Sequence, residues 1–338
     1  MNRNSKTKKK AREKIEKIER ALQNLSPHET ECGLCPRQCG VNRQKGEKGF
    51  CEGNSKASLS HAIIHLGEEP VLSGYHDFRR EKSNTLAARG GSGTMFFSNC
   101  NLKCLFCQNY QLSWQNRGNT VSDAQLAEKM LHLQKQGALN INLVSPTHFI
   151  LPILKSLEIA YARGLNLPLV YNSNAYENVE VIKNLRGIVD IYLPDLKFFS
   201  SKLANKLSQA GDYFYHASMV IKEMASQQPA LVLNSEGAAQ KGLIVRHLIL
   251  PGQTEDSIFI LDWMEENLPS SIALSLMSQY HPCFKSPPEI QRYVSRKEYF
   301  LVVNKAHKLR FETMFIQPQP FGIDEHLIPN FSRKNPFE

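Results

Sequence analysis

Three cysteines within eight residues are the clearest chemical signal in the sequence. Cys100, Cys104 and Cys107 form the pattern C-x3-C-x2-C and directly follow a predicted strand over residues 94–98. Three thiolates at this spacing can bind three irons of a cubic [4Fe–4S] cluster, whereas a fourth cysteine would complete its coordination. The fourth iron is then open to bind a substrate, so the motif indicates a reactive cluster. The alternative is a structural zinc site, although zinc prefers four ligands.

A second cysteine set lies nearer the N-terminus and has four members. They are Cys32, Cys35, Cys39 and Cys51, in the pattern C-x2-C-x3-C-x11-C. Residues 32–53 are poor in apolar side chains and rich in glycine, which predicts a loop that needs a metal to hold it. Four thiolates close a coordination shell, so the site is either structural zinc or a saturated iron–sulfur cluster. The spacing alone does not decide between them. We interpret the eighth cysteine, Cys283, as inert.

The elements that position the three-cysteine loop show a β/α alternation. Six short apolar stretches predict strands over residues 94–98, 140–145, 168–173, 189–193, 243–250 and 271–278. Helical periodicity falls between them, over residues 123–136, 150–163, 179–185, 213–225 and 257–267. Short apolar strands separated by helices favour an α/β fold, with a parallel sheet and helical crossovers. About six such units fit, two fewer than a full eightfold barrel requires.

Composition divides the chain into three predicted parts. Residues 1–28 form a basic leader whose predicted helix ends at Pro27. Residues 29–89 form the Cys-rich segment, and residues 90–338 form the β/α domain. Residues 1–20 carry nine Lys or Arg against three Glu, and this net charge of +6 leaves only +3 of the total +9 for the rest of the chain. The excess positive charge therefore lies in the leader and not on a basic face of the protein, which argues against a nucleic-acid partner.

The sequence also bears on where the protein acts. No apolar run approaches the length of a membrane span, and the start lacks the apolar stretch of a secretory signal. We therefore expect no membrane partner and a cytoplasmic location. In that reducing compartment, clustered cysteines are metal or redox ligands rather than a disulfide framework.

On these motifs the chain resembles the radical S-adenosylmethionine (SAM) superfamily, in the branch related to pyruvate formate-lyase-activating enzyme. The resemblance covers residues from about 90 to 319, and the Cys-rich segment extends it towards residue 30. It implies a partial (β/α)6 TIM-like barrel whose cluster loop follows the first strand. It also implies that SAM binds the open iron and is reductively cleaved to a 5′-deoxyadenosyl radical, which abstracts hydrogen from a substrate.

The resemblance implies SAM-binding residues at four strand ends. Where the family has a Gly-Gly-Glu turn for the SAM amino group, this chain offers Ser145 and Thr147. Two runs resemble the activating enzyme's Asp-Thr-Asn and Asp-x-Lys runs, and they supply Asn172, Ser173, Asn174, Asp195 and Lys197. In the activating enzyme these strand ends bind a monovalent cation, which makes Asn172, Ser173 and Asp195 candidate cation ligands here. On the fifth strand, Arg246 and His247 point to opposite faces, and we favour Arg246 as the residue that contacts SAM.

Two classes of function follow. The first is a radical SAM enzyme that abstracts hydrogen from a protein, a peptide or a small molecule and takes electrons from a flavodoxin or ferredoxin. Activation of a glycyl radical enzyme is one form of this chemistry. The second is a non-catalytic iron–sulfur or zinc protein that carries electrons or acts as a scaffold. Cleavage of SAM to 5′-deoxyadenosine distinguishes the two.

Overall fold

The computed structural model describes residues 3–74, 90–318 and 328–337. Within these ranges the strands are β1 (Ser58–His65), β2 (Ser92–Phe97), β3 (Asn119–Thr120), β4 (Ile141–Val144), β5 (Leu169–Ser173), β6 (Ile191–Pro194), β7 (Val232–Leu233), β8 (Ala239–Leu248), β9 (Ala273–Met277) and β10 (Thr313–Ile316). The helices are α1 (Arg3–Leu25), α2 (Pro70–Ser73), α3 (Tyr110–Ser113), α4 (Asp123–Lys135), α5 (Ile150–Ala162), α6 (Val179–Asn184), α7 (Ser201–Ser208), α8 (Tyr213–Gln227), α9 (Thr254–Asn267) and α10 (Arg296–Ala306).

The strands form one curved sheet in the order β10-β9-β8-β6-β5-β4-β2-β1-β3, with β7 attached to β8. From β2 to β10 along this order every neighbouring pair is parallel, whereas β1 pairs antiparallel with β2 and with β3. The α/β class and the partial barrel are confirmed. Each of the six predicted strands has a counterpart here, and β10 adds a further parallel strand.

Helices cover the outer face of the sheet because each predicted helix carries an apolar stripe. The helix α4 begins where the sequence places a cap, since the Ser122 side chain accepts from the Gln125 backbone amide and the Gln125 side chain accepts from the Ser122 backbone amide. The helix α1 packs on α5 through its buried residues Ile18 and Ala21. The described part of the predicted leader therefore belongs to the same core as the barrel.

The inner face of the sheet encloses α2. Val71 and Leu72 of α2 pack together with residues of β5, β6, β8 and β9, namely Val170, Ile191, Leu193, Ala239, Ile244 and Ala273. Side chains alternate along a strand, so Asn172 shares this inner face with Val170, as Arg246 does with Ile244. Asn142 lies beside Val170 in the register and belongs to the same face. The sheet thus curves around a lumen in which α2 lies.

The Cys-rich segment is joined to the barrel rather than separate from it. Its strand β1 extends the barrel sheet at β2, and its helix α2 lies in the lumen. The predicted boundary at residue 89 lies outside the described residues. No helix of the described ranges is both long and apolar enough to cross a membrane.

Candidate active site at the carboxyl edge of the barrel

The three-cysteine loop follows β2 and is held by backbone hydrogen bonds to later parts of the chain. The amide of Leu105 donates to the carbonyl of Leu207 at 2.9 Å, and the amide of Lys285 donates to the carbonyl of Leu105 at 3.0 Å. Asn99 enters the loop with φ at +71°, a conformation that Asn tolerates better than most residues. The loop is therefore fixed against α7 and the segment after β9.

Each thiol of this loop accepts a hydrogen bond. Ser208 Oγ donates to Cys104 Sγ at 3.0 Å, and Ser113 Oγ donates to Cys107 Sγ at 3.2 Å. Cys100 Sγ accepts from Asn174 Nδ2 and from the Leu102 amide, both at 3.4 Å. Such donors stabilise a thiolate and raise the potential of a cluster bound to it. A loop of three partly exposed cysteines, each with a donor to its sulfur, fits the ligand set of a cluster with one open iron.

Burial raises the pKa of all three thiols, to about 11 for Cys100 and Cys104. Without a metal they are neutral thiols at neutral pH. Within the ranges that the structure describes, no three His, Cys, Asp or Glu side chains converge as ligands of a single metal ion.

Arg246 contacts two of the three predicted cation ligands, Asn172 on β5 and Asp195 just after β6. Its Nε donates to Asp195 Oδ1 at 2.7 Å and its Nη2 donates to Asn172 Oδ1 at 2.6 Å. Lys197 Nζ donates to the other oxygen, Asp195 Oδ2, at 2.6 Å. Burial opposes ionisation of Asp195, but the charges of Arg246 and Lys197 outweigh it and lower the pKa of this carboxyl. Two of the three residues that the resemblance assigns to a monovalent cation are thus bonded to positively charged side chains of the chain itself.

His247 lies on the opposite face of β8, as alternation predicts. Its Nδ1 lies 2.7 Å from the Leu196 carbonyl and its Nε2 lies 2.9 Å from Ser257 Oγ on α9. Burial lowers the pKa of His247 to about 4, so the ring is neutral and packed in the core. Arg246 is the residue of this pair that faces the lumen.

The turn after β4 places Ser145 and Thr147 differently. Ser145 has φ at +56°, and its amide donates to the Asn172 carbonyl at 2.9 Å. The Thr147 hydroxyl is buried and donates to Glu177 Oε1 at 2.6 Å. Burial raises the pKa of Glu177 to about 7. Ser145 is partly exposed, whereas the hydroxyl of Thr147 is bonded to a core carboxyl that the sequence analysis missed.

The two remaining polar residues of the β5 end support local structure. Asn174 Nδ2 donates to Asn101 Oδ1 at 2.8 Å as well as to Cys100 Sγ, so it binds the cysteine loop. Ser173 Oγ accepts from the Ala175 amide at 3.0 Å, as in a turn.

Comparison with known proteins identifies the family. The family model of the radical SAM superfamily matches residues 94–263, which is half of the chain. The chain belongs to the radical SAM superfamily. It is also 30% identical over 298 residues to an uncharacterized protein, MJ0674, of Methanocaldococcus jannaschii, and this match covers 84% of the chain and 76% of that protein.

Two solved structures show weaker similarity. Streptococcus suis SuiB bound to the precursor peptide SuiA is 16% identical with a TM-score of 0.44, over 65% of this chain and 46% of that one. Methylornithine synthase (PylB) is 17% identical with a TM-score of 0.42, over 64% of this chain and 60% of that one. The radical SAM chain thus spans about half the length of these proteins. Family membership implies an enzyme that uses SAM and a [4Fe–4S] cluster.

The four-cysteine set of this radical SAM protein lies directly against the cluster loop. Arg37 Nε donates to the Asn101 carbonyl at 3.2 Å, and its guanidinium lies 3.8 Å from the centre of the Phe50 ring. Burial raises the pKa of Cys35 to about 12, and a hydrogen bond with the Asn101 side chain partly offsets this. Asn101 therefore contacts both cysteine sets, since its Oδ1 also lies 3.9 Å from Cys100 Sγ.

The other three cysteines of this set differ in exposure. Cys32 and Cys51 are buried, and Cys39 is partly exposed. A Cβ at Gly49 would collide with Cys39 Sγ, so the loop requires glycine there. Cys283 is buried, and its Sγ lies 3.6 Å from the Phe106 carbonyl, which is compatible with an inert thiol.

Two acidic residues of the lumen were also missed by the sequence analysis. Glu68 and Glu69 each lie 3.8 Å from Arg246 Nη1, and Ser275 Oγ donates to Glu69 Oε1 at 3.3 Å. The signal that could have found them is a pair of acidic residues just before Pro70, in a stretch without clear periodicity.

Proposed function

We propose that Cys100, Cys104 and Cys107 hold the [4Fe–4S] cluster of a radical SAM enzyme that abstracts hydrogen from a substrate in the barrel lumen. When bound, the cluster supplies one electron that cleaves SAM into methionine and a 5′-deoxyadenosyl radical. The observation that carries the proposal is the loop after β2, in which three partly accessible thiols each accept a hydrogen bond. The loop's backbone bonds fix the sulfurs before any ligand binds.

Arg246 is the residue we assign to the SAM carboxylate. Its guanidinium faces the lumen, and Asp195 and Asn172 hold it from one side. Its Nη1 is 3.8 Å from the nearest carboxylates, so this end can still donate to an anion. A buried guanidinium is well suited to a carboxylate because it can donate two parallel bonds. We propose that Arg246 and Lys197 supply the positive charge that the activating enzyme obtains from a monovalent cation.

The four-cysteine set is proposed to hold a saturated iron–sulfur cluster that passes electrons to the three-cysteine loop. Its contact with that loop through Arg37 and Asn101 supports this role. A flavodoxin or ferredoxin of the cytoplasm is the proposed donor. With zinc in place of a cluster, the set would only brace the fold.

Activation of a glycyl radical enzyme is a narrower proposal. It rests on the resemblance of the runs at residues 172–174 and 195–197 to the activating enzyme. Its signature would be a glycyl radical signal in a partner protein after incubation with the reduced enzyme and SAM.

The assay for SAM cleavage tests the main proposal. The protein is reconstituted with iron and sulfide without oxygen, reduced with dithionite and given SAM, and 5′-deoxyadenosine is measured. We expect product from the wild type and from Cys283→Ala, and none from Cys104→Ala. An electron carrier would leave SAM intact in all three. Cleavage by Cys104→Ala at the wild-type rate would contradict the assigned ligand set.

A further inference from the structure

An acidic patch lies in the lumen beside Arg246. Glu68 and Glu69 precede α2 and enter the lumen with it, and their side chains are only 8% and 7% exposed. Below them, Val71 and Leu72 fill the space between the strands. The two glutamates therefore lie on top of an apolar plug, at the same level as Arg246 and Ser275.

Polar atoms of this patch lack partners within the described residues. Glu69 Oε2 is buried and accepts no hydrogen bond, and neither Nδ2 nor Oδ1 of Asn142 has a partner. Asn142 is fully buried on the inner face of β4. It lies close enough to Glu68 to favour the ionised form of that carboxyl, yet the pair does not meet hydrogen-bond geometry. Buried polar atoms are nearly always bonded, so open acceptors in a lumen indicate a ligand that donates.

The charges of the lumen indicate the sign of the charge on that ligand. Among the described residues of the lumen, Glu68, Glu69 and Asp195 carry three negative charges when ionised, whereas Arg246 and Lys197 carry two positive ones. Burial lowers the pKa of the neighbouring His65 to about 4, so His65 adds no charge at neutral pH. Burial also raises the pKa of both glutamates, and the positive charge of Arg246 only partly offsets this effect. With all three carboxyls ionised, the described residues of the lumen would need one further positive charge for balance.

We propose that Glu68, Glu69 and Asn142 form the substrate-recognition floor of the lumen and bind the primary ammonium group of an amine substrate. An alkylammonium has one positive charge and three donors, two of which can serve the unpartnered acceptors Glu69 Oε2 and Asn142 Oδ1. The inference rests on the proposed function because it places the substrate next to the SAM site. The ammonium could belong to a free alkylamine or to a lysine side chain.

Calorimetry with the reconstituted protein and SAM tests the floor. The probes are 1-aminopropane, its neutral analogue 1-propanol, and Nα-acetyl-lysine methylamide as a lysine side chain. We expect the amine to bind at least about tenfold more tightly than the alcohol, since hydrogen bonds to charged groups are strong. Glu69→Gln and Glu68→Gln should each lower this preference about tenfold, whereas Glu266→Gln, an exposed control, should not. Tighter binding of the lysine analogue than of aminopropane would assign the site to a peptide.

The outcomes separate this inference from the proposed function. Cleavage of SAM by a wild type that binds amine and alcohol equally would overturn the floor alone. Amine preference without SAM cleavage would overturn the proposed function alone. The Gln variants keep the side-chain volume, and their melting temperatures report whether they fold. If a variant does not fold, the comparison of amine and alcohol on the wild type decides.

Discussion

The two cysteine sets of this chain lie side by side but differ in what surrounds their sulfurs. The three-cysteine loop has partly accessible thiols, two of which accept bonds from serine hydroxyls. The four-cysteine set has three buried thiols, and Arg43 lies 3.5 Å from one of them, Cys51. In the assignment proposed above, the three-cysteine loop is an open set that leaves one iron accessible, and the four-cysteine set is a closed set that does not. The comparison therefore tests whether ligand number and access separate a reactive metal site from a closed one in the same polypeptide.

The largest expected effect comes from breaking the closed set. In Cys35→Ala, about four of the roughly eight irons should be lost, because a four-thiolate cluster needs all of its ligands. Cleavage of SAM driven by dithionite should persist, whereas cleavage driven by reduced flavodoxin should fall to background. Iron, sulfide and 5′-deoxyadenosine are measured on the same preparation, with Cys283→Ala as the matched cysteine control. Full activity with flavodoxin would show that the closed set passes no electrons.

A smaller effect, a loss of affinity for SAM, is expected when Arg246 is replaced. Arg246→Gln removes the charge that we assign to the SAM carboxylate and should weaken SAM binding about 10- to 100-fold, the range for a charged hydrogen bond. Equilibrium dialysis with SAM measures this, and the melting temperature checks the fold. The wild type should be equally active in sodium and in potassium salts and without either. A strong requirement of the activity for potassium would indicate a bound monovalent cation and would contradict the proposal that Arg246 and Lys197 supply its charge.

Gly49 offers a milder way to disturb the closed set. In Gly49→Ala the new methyl group meets Cys39 Sγ, so we expect partial loss of metal from this set and a less stable protein. Gly211→Ala is the matched control, because its Cβ would make an ordinary contact with Asn205 at 3.5 Å. Metal content after gel filtration and the melting temperature are compared. Equal metal content in both variants would place Cys39 outside the ligand set.

The smallest effect concerns a single hydrogen bond in the open set. Ser208→Ala removes the donor to Cys104 Sγ and should make the potential of that cluster more negative by about 20–65 mV, the equivalent of one ordinary hydrogen bond for a one-electron couple. Ser201→Ala, exposed on the same helix, should leave the potential unchanged. Redox titration followed by EPR measures both. An unchanged potential in Ser208→Ala would mean that this contact does not reach a metal-bound sulfur.

Local patterns in the sequence carried much of this account. Apolar runs predicted the strands because strands such as β2, β5, β6 and β9 are buried on both faces. Alternation placed Arg246 and His247 on opposite faces. The cysteine spacing indicated two sets of different size. The strand β10 and the helix α10 were not predicted.

Contacts between segments far apart in the sequence could not be predicted from such local patterns. Ser208 reaches Cys104 across 104 positions, and Ser275 reaches Glu69 across 206. Thr147 looked like a free hydroxyl at a strand end, yet it is bonded to Glu177 in the core. Such pairs depend on how the barrel closes and leave no periodic signal in the sequence.

The most direct test asks whether the open set has a free iron. The reconstituted protein is reduced to the paramagnetic state, and EPR spectra are recorded with and without SAM, for the wild type and for Cys35→Ala, in which only the cluster at the open set should remain. A change in the g values on adding SAM, in both proteins, is the predicted result. A cluster signal that SAM leaves unaltered would contradict the central claim.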